Sequence, residues 1–256
     1  MGVGFLHALE RAGSAPAVVC LHGWCQSSAY WAPTLDRLAT AGVHGLAPDL
    51  PGFAASAHLP APYTMEGFAD ALARLLDERG LGQVVLVGGS MGGVVAQHFV
   101  LRHPGRVRRL LLVATGAATA DPTAALAKAD ALAGAVWDET LIAPVVRAFF
   151  HHPPLPAELD RYCQIALMAS QPAAVEAARS NARSRTLERL DEIEVPTLIV
   201  QGRHDRVRTP EHGKLMQERI KGARFEIVER AGHTPQVEDP TGFHEIALPF
   251  LTADRQ

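Results

Sequence analysis

Short runs of apolar residues alternate with longer segments of helical periodicity over most of the chain. The apolar runs are rich in Val, Leu and Ile and predict buried strands at residues 18–21, 45–48, 84–87, 110–113, 197–201 and 225–228. The segments between them predict helices at residues 30–38, 65–78, 94–103, 211–220 and 241–251. The clearest helix is the one at 65–78, because Thr64 stands at its N-cap position and Gly80 follows its end.

Strands that are apolar throughout, separated by helices, are typical of a parallel sheet that is covered by helices on both faces. The sequence therefore predicts an α/β fold. The alternation stops between about residues 115 and 187, where the chain is rich in Ala and helical in pattern. We expect a core formed by residues 1–114 and 188–256 and a helical insertion formed by residues 115–187.

The length agrees with this division. A chain of 256 residues is long for one domain of about 150 residues and short for two. An apolar fraction of 48% and a charged fraction of 20% are ordinary for a globular protein and exclude disordered and fibrous classes.

Charge and cysteine content exclude several classes of partner. A net charge of −3 offers no basic field for nucleic acid or for an anionic membrane surface. The three cysteines are too few and too scattered for a disulfide framework or a zinc site, and the N-terminus does not look like a signal peptide, so we expect a cytoplasmic protein. Residues 82–101 carry no charge, but their glycines and polar residues indicate a buried strand, turn and helix rather than a membrane span.

The turn at residues 88–93 has the sequence Gly-Gly-Ser-Met-Gly-Gly and lies between a predicted strand and a predicted helix. A serine on such a turn has strained backbone geometry, and glycines on either side leave room for it. The hydroxyl of Ser90 then projects from the chain, and the N-terminus of the next helix favours negative charge nearby. Ser90 is thus a candidate nucleophile rather than only a helix cap.

A serine nucleophile requires a base that is oriented by an acid, and on this kind of fold both follow later strands. Asp205 follows the strand at 197–201, and His233 follows the strand at 225–228. His204 is an alternative base, and Asp121, after an earlier strand, is an alternative acid. We expect Ser90, His233 and Asp205 to form the catalytic set.

Together these residues resemble the α/β-hydrolase superfamily of serine hydrolases. The resemblance covers nearly the whole chain outside the insertion, and it rests on five motifs in order: Leu21-His22-Gly23-Trp24, Asp49-Leu50-Pro51-Gly52-Phe53, Gly88 to Gly93, Gly202 to Asp205, and Gly232-His233-Thr234-Pro235 with Glu238 and Pro240 downstream. It implies a mostly parallel sheet of eight strands, or of seven if the short N-terminus leaves only one strand near residues 5–9. It also implies that the insertion is a helical cap (lid) over the site.

The resemblance further implies an oxyanion hole formed by the backbone N–H groups of Met91 and Trp24, with His22 bracing the loop. Serine at position 90 of the turn argues against dehalogenases and epoxide hydrolases, which use a carboxylate as the nucleophile at that position. The segment after His22 looks more like the subgroup of esterases, enol-lactonases and cofactor-free haloperoxidases. A small-to-medium, largely apolar carboxylic ester or lactone is the expected substrate, with no metal and no organic cofactor.

Two alternatives remain open from the sequence. The same triad serves carbon–carbon bond hydrolases, lyases and acyltransferases, and a binding protein on this scaffold is a third class, although an intact triad counts against it.

Substrate contacts are expected from Trp24, Trp137, Phe149 and Tyr162. A run of arginines at the end of the insertion and directly after it is either a solvated helix face or a site for a substrate carboxylate: Arg179, Arg183, Arg185 and Arg189.

Overall fold

The computed structural model of the protein describes residues 6–60, 62–152 and 154–253. Its central feature in those residues is a seven-stranded sheet, formed by β1 (Ala8–Arg11), β2 (Ser14–Leu21), β3 (Val43–Pro48), β4 (Val84–Gly89), β5 (Val107–Val113), β6 (Thr197–Gly202) and β7 (Arg224–Val228). The order of the strands across the sheet is β1-β3-β2-β4-β5-β6-β7. Strand β1 pairs antiparallel with β3, and all the other pairs are parallel. The mostly parallel sheet is confirmed, in its seven-stranded form.

The N-terminal strand lies later than expected. It begins at Ala8 rather than near residue 5, and Phe5 lies outside the described residues. Because this strand pairs with β3 and not with β2, the described N-terminal residues contribute one antiparallel strand beside β3 and no hairpin with β2.

The sheet is covered on its two faces by helices α1 (Ala32–Thr40), α2 (Met65–Glu78), α3 (Met91–Arg102), α8 (Pro210–Arg219) and α10 (Pro240–Leu251). The other helices are α4 (Pro122–Ala133), α5 (Glu139–Arg147), α6 (Pro156–Leu167), α7 (Gln171–Arg183) and the short α9 (Pro235–Glu238). Successive residues of each central strand join different apolar clusters. In β4, for example, Leu86 packs with α2 and α3, and Val87 packs with α1 and α10. Burial on both faces explains why the strands are apolar without alternation.

Two helix starts differ from the sequence-based expectation. The segment predicted as one helix at 30–38 is a 3-10 turn (Ser28–Trp31) followed by α1, which has Pro33 in its first turn. Proline is favoured in that position because its ring fixes φ and the missing N–H would have no helical partner. The helix expected from residue 94 begins at Met91, directly after Ser90.

Helices α4 to α7 follow β5 and precede β6, so the expected helical insertion is present as helices, although its division from the core as a separate cap remains a prediction. An antiparallel bridge between Ala118 and Arg185 brings its two ends side by side. The insertion therefore leaves the sheet and returns to it at nearly the same place. No helix in the described ranges has the length and apolarity required to cross a membrane.

Gly52 marks a tight contact between the insertion and the core. Its φ is +85°, a Cβ there would clash with the Cβ of Ala173 in α7, and its carbonyl accepts the N–H of Ser170 at 2.9 Å. The loop after β3 thus packs directly against the start of α7.

We predict that Gly52→Ala destabilises the protein more than Gly80→Ala does. Gly80 also has a positive φ of +64°, but nothing lies within 4 Å of a Cβ there, so its substitution costs about 1–2 kcal/mol of backbone strain. Gly52→Ala adds overpacking of about 1–3 kcal/mol. Urea unfolding measures both free energies, and equal losses would show that α7 does not press on Gly52.

Candidate active site

Ser90 occupies a strained turn between the end of β4 and the start of α3. Its backbone has φ 50° and ψ −118°, a conformation that costs about 1–3 kcal/mol for a residue with a side chain. Two hydrogen bonds to the end of β5 hold the turn: Ser90 N–H donates to the Val113 carbonyl at 2.9 Å, and the Thr115 hydroxyl donates to the Ser90 carbonyl at 2.7 Å. The surrounding structure therefore fixes the position from which the hydroxyl projects.

The glycines after Ser90 are required for close packing. A Cβ at Gly92 would lie 2.5 Å from the carbonyl oxygens of Leu21 and His22, and a Cβ at Gly93 would lie 2.6 Å from the Thr115 side chain. The first turn of α3 thus fits between the ends of β2 and β5. Only glycine allows that approach at both positions.

The structure brings Ser90, His233 and Asp205 together as a chain of hydrogen bonds. His233 Nε2 lies 2.8 Å from Ser90 Oγ, and His233 Nδ1 lies 2.8 Å from Asp205 Oδ2. The Asp205 and His233 side chains are 0% and 1% exposed. Because an ionised carboxylate can only accept, Nδ1 carries the proton and donates to Asp205, which leaves Nε2 free to accept from the Ser90 hydroxyl.

The second oxygen of Asp205 is also occupied. Its Oδ1 accepts the N–H groups of Val207 and Arg208, both at 2.8 Å. These two bonds orient the carboxylate, so that Oδ2 faces His233. The loops that carry Asp205 and His233 also pack tightly, since a Cβ at Gly202 would clash with the carbonyl of Gly232.

A loop after β2 passes directly beside Ser90. A Cβ at Gly23 would lie 3.1 Å from the Ser90 Cβ, and Gly23 N–H donates to the Gln26 side-chain oxygen at 2.9 Å. The His22 ring bridges this loop to the next one, because its Nδ1 lies 2.8 Å from the Gly23 carbonyl and its Nε2 accepts from Leu50 N–H at 2.9 Å. Burial lowers the pKa of His22, which keeps the ring neutral and able to accept that bond.

The two expected oxyanion-hole residues lie on this loop and on the serine turn. Met91 is the first residue of α3, and the backbone N–H groups of a first helical turn have no acceptor carbonyl within the helix. Trp24 directly follows Gly23, and its indole N–H donates to the Ala174 carbonyl of α7 at 2.8 Å. The Trp24 side chain therefore ties the loop to the insertion.

The other three expected substrate contacts lie in the insertion and pack against aromatic residues. The Trp137 ring lies edge-on to Trp24 with centroids 6.4 Å apart, and Phe149 lies 5.7 Å from the His233 ring. Tyr162 lies 4.8 Å from Tyr30. Phe149 is thus the one that contacts the triad itself.

The alternative acid and base lie elsewhere. Asp121 caps α4, where it accepts the N–H of Ala124 at 2.9 Å. His204 is exposed, and its ring stacks on that of His151 with centroids 3.8 Å apart. Three of the four arginines of the run at 179–189 form ion pairs with exposed carboxylates among the described residues, which favours the solvated-face interpretation: Arg179 with Asp130 and Glu176, Arg185 with Glu188, and Arg189 with Glu192.

Sequence reasoning gave no role to three residues that support the site. Thr115 holds the serine turn, Gln26 holds Gly23, and Glu238 accepts N–H groups from both neighbours of His233. A signal existed for the first two, since each is a polar residue placed just after a buried strand. Within the described residues, no group of three or more His, Cys, Asp or Glu side chains is arranged to hold a metal ion.

Comparison with known proteins agrees with this fold. The sequence model of the alpha/beta hydrolase family matches residues 18–246. The chain is 31% identical over 246 residues to the pimeloyl-(acyl-carrier protein) methyl ester esterase of Neisseria meningitidis serogroup A. The matched region covers 91% of this chain and 76% of that protein.

Solved structures show the same fold. A thermophilic esterase from Thermogutta terrifontis matches with a TM-score of 0.88 at 27% identity, over 98% of this chain and 94% of that one. The enol-lactonase from Burkholderia xenovorans LB400 matches with a TM-score of 0.88 at 24% identity, over 96% of each chain. The chain therefore belongs to the alpha/beta hydrolase family, as its five motifs indicate, and is an esterase-like enzyme of that family.

Proposed function

We propose that the protein is a serine hydrolase that cleaves a small-to-medium, largely apolar carboxylic ester or lactone through an acyl-enzyme on Ser90. The observation that carries this proposal is the chain of two 2.8 Å hydrogen bonds from Asp205 through His233 to Ser90. The Neisseria and Thermogutta proteins, which are both named as esterases, support ester hydrolysis as the reaction.

The geometry supports a two-step acyl transfer. His233 Nε2 takes the proton from the Ser90 hydroxyl as its oxygen attacks the ester carbonyl, and the imidazolium that forms is stabilised by the Asp205 carboxylate. The same imidazolium then protonates the leaving alcohol. Water deacylates the serine by the same steps in reverse. Each step uses groups of the chain and water.

The negative charge on the attacked carbonyl oxygen requires two donors. The backbone N–H groups of Met91 and Trp24 are the candidates, because Met91 directly follows the nucleophile and Trp24 follows Gly23, which lies directly beside Ser90. Donors fixed by the backbone stabilise an oxyanion without reorganisation.

Substrate selection belongs to the insertion, as a helical cap over Ser90. Trp137 lies beside Trp24, Phe149 lies beside His233, and Tyr162 lies beside Tyr30. The rings of these three insertion residues favour an apolar acyl or alcohol group. Three free, buried cysteines fit a reducing compartment and support a cytoplasmic location: Cys20, Cys25 and Cys163.

We predict that Ser90→Ala abolishes hydrolysis of p-nitrophenyl acetate and butyrate, with a fall of at least about 10⁴-fold, because the substitution removes the oxygen that attacks the ester. A fluorophosphonate should label the wild-type protein at Ser90 and should not label the variant. If wild type and variant hydrolyse every ester and lactone equally slowly, the proposed function is wrong.

We predict that Asp205→Asn lowers kcat by about 10³–10⁴-fold while the fold is kept. The amide oxygen must face the N–H groups of Val207 and Arg208, so the –NH₂ group is turned towards His233 Nδ1. The imidazole then carries its proton on Nε2 and cannot accept one from Ser90.

The matched control for this variant is Asp121→Asn. Asparagine caps a helix about as well as aspartate, so α4 should persist and kcat should not change. A loss of activity in Asp121→Asn and not in Asp205→Asn would make Asp121 the acid instead.

A further inference from the structure

The carbonyl of Phe149, in the insertion, accepts the backbone N–H of the catalytic-base candidate. The distance from this oxygen to His233 N is 3.0 Å, and the Thr234 hydroxyl oxygen lies 3.4 Å from the same carbonyl oxygen. The Phe149 ring also packs on the His233 ring. The residue that carries the imidazole is therefore attached to the insertion through both its backbone and its ring.

Glu238 makes a second attachment. Its Oε1 accepts Gly232 N–H at 2.9 Å, and it accepts Thr234 N–H and the Thr234 hydroxyl at 3.2 Å each. Its Oε2 accepts His151 N–H, from the insertion, at 2.6 Å. One carboxylate thus links both neighbours of His233 to the insertion, and the three consecutive N–H groups at 232–234 all donate to Glu238 or Phe149.

Gly232 provides the space for this contact. A Cβ there would lie 2.7 Å from His151 N and 3.2 Å from Glu238 Oε1, whereas its φ lies outside the left-handed region. Glycine is required here for close approach and not for backbone conformation. The His151 ring in turn stacks on His204, which directly precedes Asp205, so residues 149–151 contact both loops of the triad.

We propose that Phe149, His151 and Glu238 are positioning residues, which hold His233 in line with Ser90 and make the insertion part of the catalytic machinery. The inference rests on the proposed roles of Ser90 and His233. Proton transfer depends on the 2.8 Å contact between His233 Nε2 and Ser90 Oγ, and displacement of a reacting group by about 1 Å costs about 10²-fold in rate.

The test uses Gly232→Ala and Glu238→Gln. The added methyl group pushes residues 149–151 away from the His233 loop. The glutamine keeps one acceptor oxygen and places an –NH₂ group opposite either the His151 N–H or the loop N–H groups. We expect kcat for p-nitrophenyl acetate to fall by about 10-fold to 10²-fold in each variant, with KM nearly unchanged. Acetate is the probe because its acyl group is too small to depend on a substrate pocket in the insertion.

Matched controls are available for both substitutions. Gly134, in the insertion, has open space around a Cβ and no positive φ, and Glu229, before the His233 loop, is exposed and pairs only with Arg203 among the described residues. Gly134→Ala and Glu229→Gln should keep the wild-type kcat. Thermal unfolding of all four variants identifies any loss of rate that comes from loss of folded protein.

A spectroscopic measurement makes the test independent of ester hydrolysis. In ¹⁵N-histidine-labelled protein, the Nδ1 proton of His233 bonded to Asp205 should give a downfield NMR resonance that is broadened or shifted in Gly232→Ala and Glu238→Gln and unchanged in the controls. An unchanged kcat, or a reduced kcat with an unchanged resonance, overturns the positioning role. If the wild-type protein hydrolyses no ester, the proposed function fails, and the resonance alone then decides whether the insertion positions His233.

Discussion

The site depends on one strained peptide unit, the backbone of Ser90 at φ 50°. Two contacts hold this strained backbone in place. One is the pair of hydrogen bonds to the end of β5, and the other is the close packing of Gly92 against the end of β2, which only glycine permits. Other residues at the same edge of the sheet also have strained backbone. In the described ranges, the non-glycine residues with positive φ are Cys25, Ala54, Ser90 and Ala114, which follow the four adjacent strands β2, β3, β4 and β5. Backbone strain of this kind concentrates at functional sites, and here it collects at the carboxyl edge of a rigid parallel sheet.

The sequence was sufficient for the sheet and for the three residues of the hydrogen-bonded chain. Parallel strands end at one edge, so polar residues placed just after buried strands converge, and Ser90, Asp205 and His233 all have that placement. The errors were local. Gly92 and Gly93 look like helix breakers, but packing against neighbouring strand ends requires them inside the first turn of α3, so the helix starts earlier than propensity indicates.

The supporting contacts of His233 could not be predicted in the same way. Phe149 acts through its carbonyl oxygen, which every residue type has, and no pattern of side chains marks which carbonyl will be used. Glu238 is visible as an acid after a Gly-His-Thr-Pro turn, but one of its partners is a backbone N–H of the insertion. Such contacts are fixed by how the insertion packs on the core, and tertiary packing of this kind is not encoded in local periodicity.

The position of the insertion in the chain explains why it reaches the triad. The residues after β5 hold the Ser90 turn, and β6 leads into the Asp205 loop. A segment inserted between these two strands therefore begins beside the candidate nucleophile and ends beside the strand that leads to the candidate acid. The bridge between Ala118 and Arg185 joins those two ends. An insertion anchored there can contact the remaining member, His233, only by passing over the edge of the sheet, which is where Phe149 and His151 lie against the His233 loop. The proposed enclosure of substrate and the proposed alignment of the base would then both result from the same packing. A change in the insertion that alters the pocket is therefore also expected to affect the geometry of proton transfer.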